Sequence, residues 1–304
     1  RRFEQELEAL AGHARVHLRK GRMVDALGGL IGDLKLDAVG IQGESMTVGM
    51  RADLAKQVGA KRLRVTRDML LSLRAIKDDA EVRQIRKAVK VQQDALLATL
   101  PTIEPGQPEE LIAARLEFEM KSRGAQRPSF GTIVAARGNG AKAHAVPGRT
   151  KTAAGRTLLI DWGAELDGYC SDMTRTFSLG RWPREMGLVY DIVLEAFHAG
   201  IDAVGPGVRA SDVDAAAREV IRKAGYGDRF GHGLGHGIGL DVHELPRVSH
   251  NSTDELRPGM IVTIEPGVYL PGIGGVRIED DILVTERGRR TLCSLPTDKD
   301  WATL

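Results

Sequence analysis

The Asp167-Gly168 dipeptide joins two strand-like runs of the sequence and predicts a tight β-hairpin. Both residue types tolerate the left-handed backbone that a two-residue hairpin turn requires. With this turn, Leu166 lies opposite Tyr169 and the two runs pair antiparallel. Parallel strands instead need a long crossover between them, so the middle of the chain is predicted to hold an antiparallel sheet.

The same hairpin register brings two aspartates together. Asp161 lies opposite Thr174, and strand side chains alternate between the two faces of a sheet with a period of two residues. Asp161 and Asp172 then share a face as a diagonal pair, ~7–8 Å apart at the backbone. Gly163, opposite Asp172, leaves room between them for one or two cations.

The alternative for this pair is two solvated surface carboxylates, since aspartates are common at protein surfaces. The apolar run at residues 157–160 weakens that alternative. An aspartate that ends an apolar strand tends to be partly buried, and a buried carboxylate needs a partner.

Residues 75–304 are predicted to form an α+β domain with an antiparallel sheet. Helices are expected in pairs and strands in hairpins, without a strict alternation of strand and helix. The predicted helices are 79–100, 111–121, 184–203 and 210–224. The predicted strands are 130–136, 157–162, 169–178, 259–270 and 276–285.

Residues 1–74 are predicted to form a separate, small α/β unit. Strand-like runs at 14–18, 37–41 and 62–66 alternate with helical runs at 23–34 and 47–58. This order favours a layered arrangement. The boundary precedes a strongly periodic helix that begins at residue 79, and we place it between residues 74 and 75.

Charge and cysteine content exclude several classes of protein. The 43 Lys and Arg residues nearly balance the 41 Asp and Glu residues, which argues against a nucleic-acid-binding surface. Two cysteines in 304 residues are no disulfide framework and fit reduced thiols in a cytoplasmic protein. We find no apolar run of ~18 residues that would cross a membrane.

Three histidines, His232, His236 and His243, fall within twelve residues of a glycine-rich segment. Glycine at alternate positions from 231 to 239 disfavours a helix, and the spacing fits neither the HExxH zinc helix nor a dinucleotide-binding loop. In an extended segment His232 and His236 would be about 13 Å apart. One could then bind a metal while the other lines a substrate pocket. The alternative is three unrelated histidines in a flexible loop.

Two glutamates, Glu265 and Glu279, lie on strand-like runs joined by a Pro/Gly turn. If the turn centres near Gly272, the two glutamates face each other. A register change of one residue would put them on opposite faces, and the sequence leaves this register open. For Glu279, which precedes two aspartates, a solvated acidic edge is the alternative.

Together these clusters supply two aspartates, two glutamates and at least one histidine. Oxygen-rich sets with an imidazole suit Mn²⁺, Co²⁺, Fe²⁺ or Zn²⁺. Four carboxylates carry a charge of about −4, which matches two divalent ions, and two-metal sites commonly serve hydrolysis.

The segments 161–177, 232–244, 263–269 and 275–281 resemble those of the pita-bread metallopeptidases, and within them the Xaa-Pro peptidases prolidase and aminopeptidase P. The resemblance covers residues from about 70 to the C-terminus. It implies a pita-bread catalytic domain, preceded here by only part of the usual N-terminal domain. It also implies two bound divalent ions, Mn²⁺ first, with Co²⁺, Zn²⁺ or Fe²⁺ as alternatives. All five ligand positions of the family are filled, by Asp161, Asp172, His236, Glu265 and Glu279.

The resemblance also assigns roles around the ligands. Glu265 would move the proton and His243 would steady the tetrahedral intermediate. His144 matches a histidine on the substrate side, with a catalytic and a binding role. His232 and Arg277 match substrate-binding positions of the Xaa-Pro branch.

The expected activity is hydrolysis of the Xaa-Pro bond in dipeptides or short peptides, with a slight preference for prolidase, an Xaa-Pro dipeptidase. The first alternative is aminopeptidase P, which acts on longer peptides, and a more remote one is a non-catalytic pita-bread binding module. The family also implies a homodimer. No nucleic-acid or membrane partner is expected.

Overall fold

The computed structural model describes Leu7, Gly12 and residues 14–304 of the chain. The chain divides between Leu70 and Leu71 into two compact units. The smaller unit contains two parallel strands, in which Val39 pairs with Leu63. Its described elements are α1 (Met23–Asp33), β1 (Val39–Gln42), α2 (Val48–Val58), a 3₁₀ turn (Ala60–Arg62) and β2 (Leu63–Thr66).

The small unit differs from the sequence prediction at its first strand. Residues 14–18 are not a strand, and all five are exposed. A strand needs a neighbour for its backbone hydrogen bonds, and none of the described strands pairs with this run. The other helices and strands of the unit lie where the pattern places them, shifted by one or two residues at their ends. Their apolar faces meet in a core of Val24, Ile31, Ile41, Leu54 and Leu63.

The larger unit combines helices with antiparallel sheets, so the α+β prediction is confirmed. Among the described residues, no helix has both the length and the apolar character that a membrane span requires. Helix α3 (Met69–Ala75) includes the boundary between the units. The other helices of the larger unit are α4 (Asp79–Thr99), α5 (Glu109–Ser122), α6 (Arg184–Ala203) and α7 (Ala210–Lys223), with 3₁₀ turns at Leu100–Thr102, Arg137–Ala141 and Gly227–Arg229.

Thirteen short strands of the larger unit form four antiparallel sheets. The strands are β3 (Arg127–Pro128), β4 (Ile133–Ala136), β5 (Thr157–Trp162), β6 (Ala164–Leu166), β7 (Tyr169–Cys170), β8 (Met173–Ser178), β9 (Gly235–Gly237), β10 (Glu244–Val248), β11 (Ile261–Ile264), β12 (Gly267–Leu270), β13 (Gly274–Arg277), β14 (Asp280–Thr285) and β15 (Gly288–Thr291). The spatial orders are β3-β6-β7, β4-β5-β8, β12-β13 and β10-β9-β11-β14-β15.

The hairpin around Asp167-Gly168 has the predicted register. Leu166 pairs with Tyr169, and Asp161 pairs with Thr174. Both turn residues have positive φ, 50° at Asp167 and 82° at Gly168, as a two-residue hairpin turn of this type requires.

Three of the predicted strands are broken by the fold. The run 169–178 is interrupted between β7 and β8, 259–270 between β11 and β12, and 276–285 between β13 and β14. At each break the chain leaves one sheet and enters another. Asp172, Glu265 and Glu279 lie in the three breaks. The carboxylates are therefore held where the sheets meet.

Helix α4 supports the first of these breaks. Its N-terminus is closed by a capping box in which Asp78 accepts from the Glu81 N–H and the Glu81 carboxylate accepts from the Asp78 N–H. Further along, the buried Gln92 donates to the Asp172 carbonyl and accepts from the Ser171 hydroxyl at 2.6 Å. A polar side chain inside the core thus fixes the backbone beside Asp172.

Candidate metal centre

One cavity of about 470 Å³ in the larger unit brings the predicted site residues together. Its wall includes apolar side chains such as Phe130, Ile133 and Val146. We call the four carboxylates Asp161, Asp172, Glu265 and Glu279, together with His236, the floor of the cavity. All nine residues that the sequence analysis assigned to the site line it: Asp161, Asp172, His236, Glu265 and Glu279, with His144, His232, His243 and Arg277.

Asp172, His236 and Glu279 form the tightest group of the floor. One ligand atom from each lies within 4.8 Å of the other two. His236 Nε2 is 3.7 Å from Asp172 Oδ2 and 3.5 Å from Glu265 Oε1. These separations are too long for hydrogen bonds and leave space for a cation between the donor atoms.

The imidazole of His236 has one ring nitrogen that could bind a metal ion. Its Nδ1 lies 3.0 Å from the Gly237 carbonyl oxygen, so Nδ1–H is the donor and Nε2 keeps a free lone pair. Burial, followed by the neighbouring His243, lowers the pKa of His236 to about 4 and keeps the ring neutral. Its lone pair therefore faces the carboxylate oxygens.

Glu265 and Glu279 lie opposite each other. Ile264 pairs with Asp280 in one ladder and Gly267 pairs with Arg277 in the next, and both pairs fit a single register with its turn at Gly272. This is the register that the sequence left open. The carboxylates of both glutamates consequently reach the cavity from two adjacent segments.

Burial raises the pKa of every carboxyl in the floor. For Asp172 and Glu279 the pKa lies well above the usual range, because burial and then neighbouring carboxylates oppose ionisation. Burial also raises the pKa of Glu265, to about 8, although Arg277 acts in the opposite direction. The pKa of Asp161 is raised by burial against the same arginine. Such a group ionises readily only when positive charge is supplied.

Arg277 supplies part of that charge. Its Nη2 donates to Asp161 Oδ2 at 2.6 Å, and its Nη1 donates to the Tyr269 hydroxyl at 2.8 Å. Nε and Nη1 also donate to the Thr174 hydroxyl and the Ala143 carbonyl. Four of the five guanidinium N–H groups are thus used inside the protein. The residue is only 3% exposed.

The remaining carboxylate oxygens fit a metal site. Asp161 Oδ1, Asp172 Oδ1 and Glu279 Oε1 are buried and have no hydrogen-bond partner among the described residues. A buried, unpaired carboxylate oxygen is costly unless a cation binds it. Oxygen donors with one imidazole nitrogen suit borderline divalent ions. The residues present therefore fit the divalent metal ions that the sequence pattern implies.

His243 and His144 lie at the exposed side of the cavity. The His243 ring packs edge-on against His236, with centroids 4.3 Å apart. Partial burial and the neighbouring His144 lower the pKa of His243. Both histidines can therefore meet a substrate that enters from solvent.

His232 is held in the wall by Tyr269, a residue to which the sequence pattern gave no role. His232 Nδ1 donates to the Gly233 carbonyl, and Nε2 accepts from the Tyr269 hydroxyl at 2.9 Å. Burial, followed by Arg277, lowers the pKa of His232 to about 4. Strand alternation could have found Tyr269, because residues 265, 267 and 269 share a face in an extended chain.

Comparison with known proteins identifies the family. A sequence model of metallopeptidase family M24 matches residues 83–286 of the chain. The chain belongs to metallopeptidase family M24. A relative of this M24 chain, an Xaa-Pro dipeptidase from Pyrococcus horikoshii, is 37% identical to it over 289 residues, which cover 95% of this chain and 82% of the relative.

Solved structures show the same M24 fold. An Xaa-Pro dipeptidase from Bacillus anthracis has a TM-score of 0.95 at 35% identity, covering 98% of this chain and 83% of its own. An X-Pro aminopeptidase from Thermotoga maritima has a TM-score of 0.90 at 34% identity, covering 98% and 84%. The expected resemblance is confirmed: this M24 metallopeptidase has the pita-bread fold and is an enzyme.

Proposed function

We propose that this M24 metallopeptidase is a prolidase, which hydrolyses the Xaa-Pro bond of dipeptides. The names of its relatives from Pyrococcus horikoshii and Bacillus anthracis support this substrate class. The observation that carries the proposal is the set of buried, unpaired carboxylate oxygens around His236 in one open cavity. That arrangement suits metal-assisted hydrolysis.

The proposed metal ligands are Asp161, Asp172, His236, Glu265 and Glu279. Their four carboxylates match two divalent ions in charge, and Mn²⁺ is our first choice, with Co²⁺, Zn²⁺ or Fe²⁺ as alternatives. Divalent ions bound in such a site activate water and polarise the scissile carbonyl.

Glu265 and His243 are the proposed catalytic residues of the reaction. The imide nitrogen of the Xaa-Pro bond is tertiary and has no hydrogen, so it needs a proton to leave. Glu265 Oε1 accepts a 3.4 Å hydrogen bond from the Thr263 hydroxyl and lies 3.5 Å from His236 Nε2. These contacts orient the carboxyl to take a proton from water and pass it to the imide nitrogen. His243, at the exposed side, donates a hydrogen bond to the developing oxyanion.

His144, His232 and Arg277 are proposed to bind the substrate. His144 reaches the cavity from a loop, which also suits a catalytic role next to His243. The pair of His232 and Tyr269 forms a fixed wall. Arg277 and the imidazole rings of His144 and His232 would contact the proline or its carboxylate.

The ligand assignment is tested by Asp172→Ala and Glu279→Ala. Each variant is expected to lose bound metal, measured by elemental analysis, together with turnover of an Xaa-Pro dipeptide. Asp94→Ala, which removes a carboxylate paired with Lys90 on the surface of α4, is the control and keeps both. Wild-type turnover by either cavity variant would exclude the metal site. A full-length wild-type protein without stoichiometric metal would instead support a non-catalytic binding module.

The size of the substrate is tested separately. The similarity to the Thermotoga maritima aminopeptidase favours aminopeptidase P as the second candidate. Rates on matched Xaa-Pro and Xaa-Pro-Yaa substrates with Mn²⁺ decide between the two. Equal or faster cleavage of the tripeptide would replace prolidase by aminopeptidase P.

The proposal extends to the two domains, the oligomeric state and the cellular location of the protein. Residues 1–74 are proposed as an N-terminal α/β domain and residues 75–304 as the catalytic domain. The family resemblance supports a homodimer, which sedimentation would test, and the cysteine content supports a cytoplasmic location.

A further inference from the structure

The loop at residues 137–150 forms one side of the substrate cavity. Ala143, His144, Ala145 and Val146 all line the cavity. The His144 side chain and Val146, which is 85% exposed, project from the loop into solvent. No hydrogen bond to the His144 ring is found among the described residues, so the position of this ring depends on the backbone of the loop.

The buried carboxylate of Glu109 ties the two ends of this loop together. Its Oε1 accepts from the Ala136 N–H at 2.7 Å and from Asn139 Nδ2 at 3.1 Å. Its Oε2 accepts from the Gly148 N–H at 3.2 Å and from the same amide at 3.2 Å. One side chain thus joins two backbone positions that are twelve residues apart.

The contacts run in both directions between the loop and helix α5. The backbone N–H of Glu109 donates to the Thr150 carbonyl, and that of Glu110 donates to the Gly148 carbonyl. The Asn139 amide also donates to the Thr150 hydroxyl at 2.9 Å. The first two N–H groups of α5 are therefore satisfied by the loop, while Glu109 accepts hydrogen bonds from N–H groups at both ends of the loop.

Glu109 is fully buried, and the four described hydrogen bonds to its carboxylate all come from uncharged N–H groups. Burying a carboxylate without a cation is costly, so its hydrogen bonds must all be present to offset the lost hydration. Its oxygens accept no hydrogen bond from the N–H groups of its own helix, so helix capping does not explain the buried carboxylate. What the carboxylate holds is the loop.

We propose that Glu109 is a positioning residue that holds the 137–150 loop, and with it His144, against the substrate. On the far side, the Ala143 carbonyl accepts from Arg277 Nη1, so the loop is fixed at both ends and once near its middle. Glu109 does not line the cavity itself and acts only through the loop. The expected change in kinetics rests on the proposed Xaa-Pro hydrolysis. The contact between Glu109 and the loop does not depend on that function.

Glu109→Gln in the full chain is the test. A glutamine amide has one acceptor oxygen, so its NH₂ group must face a backbone or amide donor at one end of the loop. Glu110→Gln is the matched control, because Glu110 is adjacent and exposed and its side chain accepts no hydrogen bond from the described residues. Hydrogen exchange of peptides that span 136–150 and steady-state kinetics with an Xaa-Pro dipeptide are measured for both variants.

In Glu109→Gln we expect amide exchange across 136–150 to become roughly tenfold faster or more, because hydrogen bonds to a charged acceptor are lost. We expect kcat/KM to fall roughly 10- to 100-fold, since small misplacements of positioning groups have effects of this size. Most of the fall should lie in KM, with bound metal unchanged, whereas a general loss of stability would not separate KM from kcat.

Wild-type exchange in the loop, or a kcat/KM equal to that of Glu110→Gln, would overturn the inference. If Glu109→Gln does not fold, Asn139→Ala decides, because it removes the shared amide and leaves both backbone contacts. Faster amide exchange and a lower kcat/KM, each smaller than in Glu109→Gln, would support the inference. Wild-type values of both would overturn it. A wild-type protein inactive on Xaa-Pro dipeptides would count against the proposed function alone, because the exchange comparison still decides the loop contact.

Discussion

Arg277 Nη2 lies 2.6 Å from Asp161 Oδ2, so a proposed metal ligand is also the partner of a buried guanidinium. The same guanidinium contacts Tyr269, which in turn bonds to His232. The floor and the wall of the cavity are therefore connected through one side chain, which restricts the position of Asp161.

Replacing Arg277 by lysine should uncouple floor and wall. An ammonium cannot reproduce the planar fork that reaches Asp161, Thr174 and Tyr269 at once. We expect kcat/KM for an Xaa-Pro dipeptide to fall roughly 10- to 100-fold. Arg290→Lys, at an exposed position, is the control. Retention of wild-type kcat/KM would show that the fork does not contribute.

His243→Ala should separate catalysis from metal binding. Loss of a donor to the developing oxyanion typically lowers kcat by about 10²–10³-fold. Bound metal should stay at the wild-type level, because His243 is not among the proposed ligands. His250→Ala, a change at an exposed histidine outside the cavity, should retain full activity. Loss of metal from His243→Ala would instead make His243 a ligand.

The stability of the metal-free protein should fall as pH rises from 6.5 to about 8. Burial raises the pKa of Glu265 from 4.5 to about 8, so the folded chain keeps a proton that the unfolded chain has released. Stability from such a group is full below pH 4.5 and is lost as pH rises through the folded pKa. Asp172 and Glu279 shift in the same direction.

Urea unfolding midpoints measure this effect. Histidines with a lowered pKa, such as His232 and His236, act at pH values below 6.5 and so fall outside this window. Glu265→Gln should flatten the pH dependence, and added Mn²⁺ should raise the midpoint by binding the folded state. A metal-free midpoint that rises across this range would contradict the burial of the carboxyls.

Gly235→Ala should disturb the strand that carries His236. A Cβ at position 235 would lie 1.9 Å from the Thr263 carbonyl oxygen, so the two strands would have to separate. We expect a loss of roughly 1–3 kcal/mol or more in the free energy of unfolding, together with weaker metal binding. Gly231→Ala is the control, since nothing lies within 4 Å of its Cβ position. Equal stability of both variants would refute the close approach.

The pairing of Asp161 with Thr174 could be predicted because it depends on local chemistry. Asp167-Gly168 sets a two-residue turn, and the period of two then fixes every pair along the hairpin. The helix from Asp79 could be predicted for a similar reason, since its cap and its apolar period are local. The strand proposed at 14–18 failed because a strand also needs a partner.

By itself, the sequence predicted nine side chains that line one cavity, and it determined the α+β class of the fold around them. Only the tertiary structure decided that Glu265 faces Glu279, because that register depends on two ladders that meet at a break. It also decided the contacts of Tyr269 with His232 and of Glu109 with Gly148, whose partners are distant in the sequence. Contacts of this kind follow from the packing of sheets and loops, which no local pattern records.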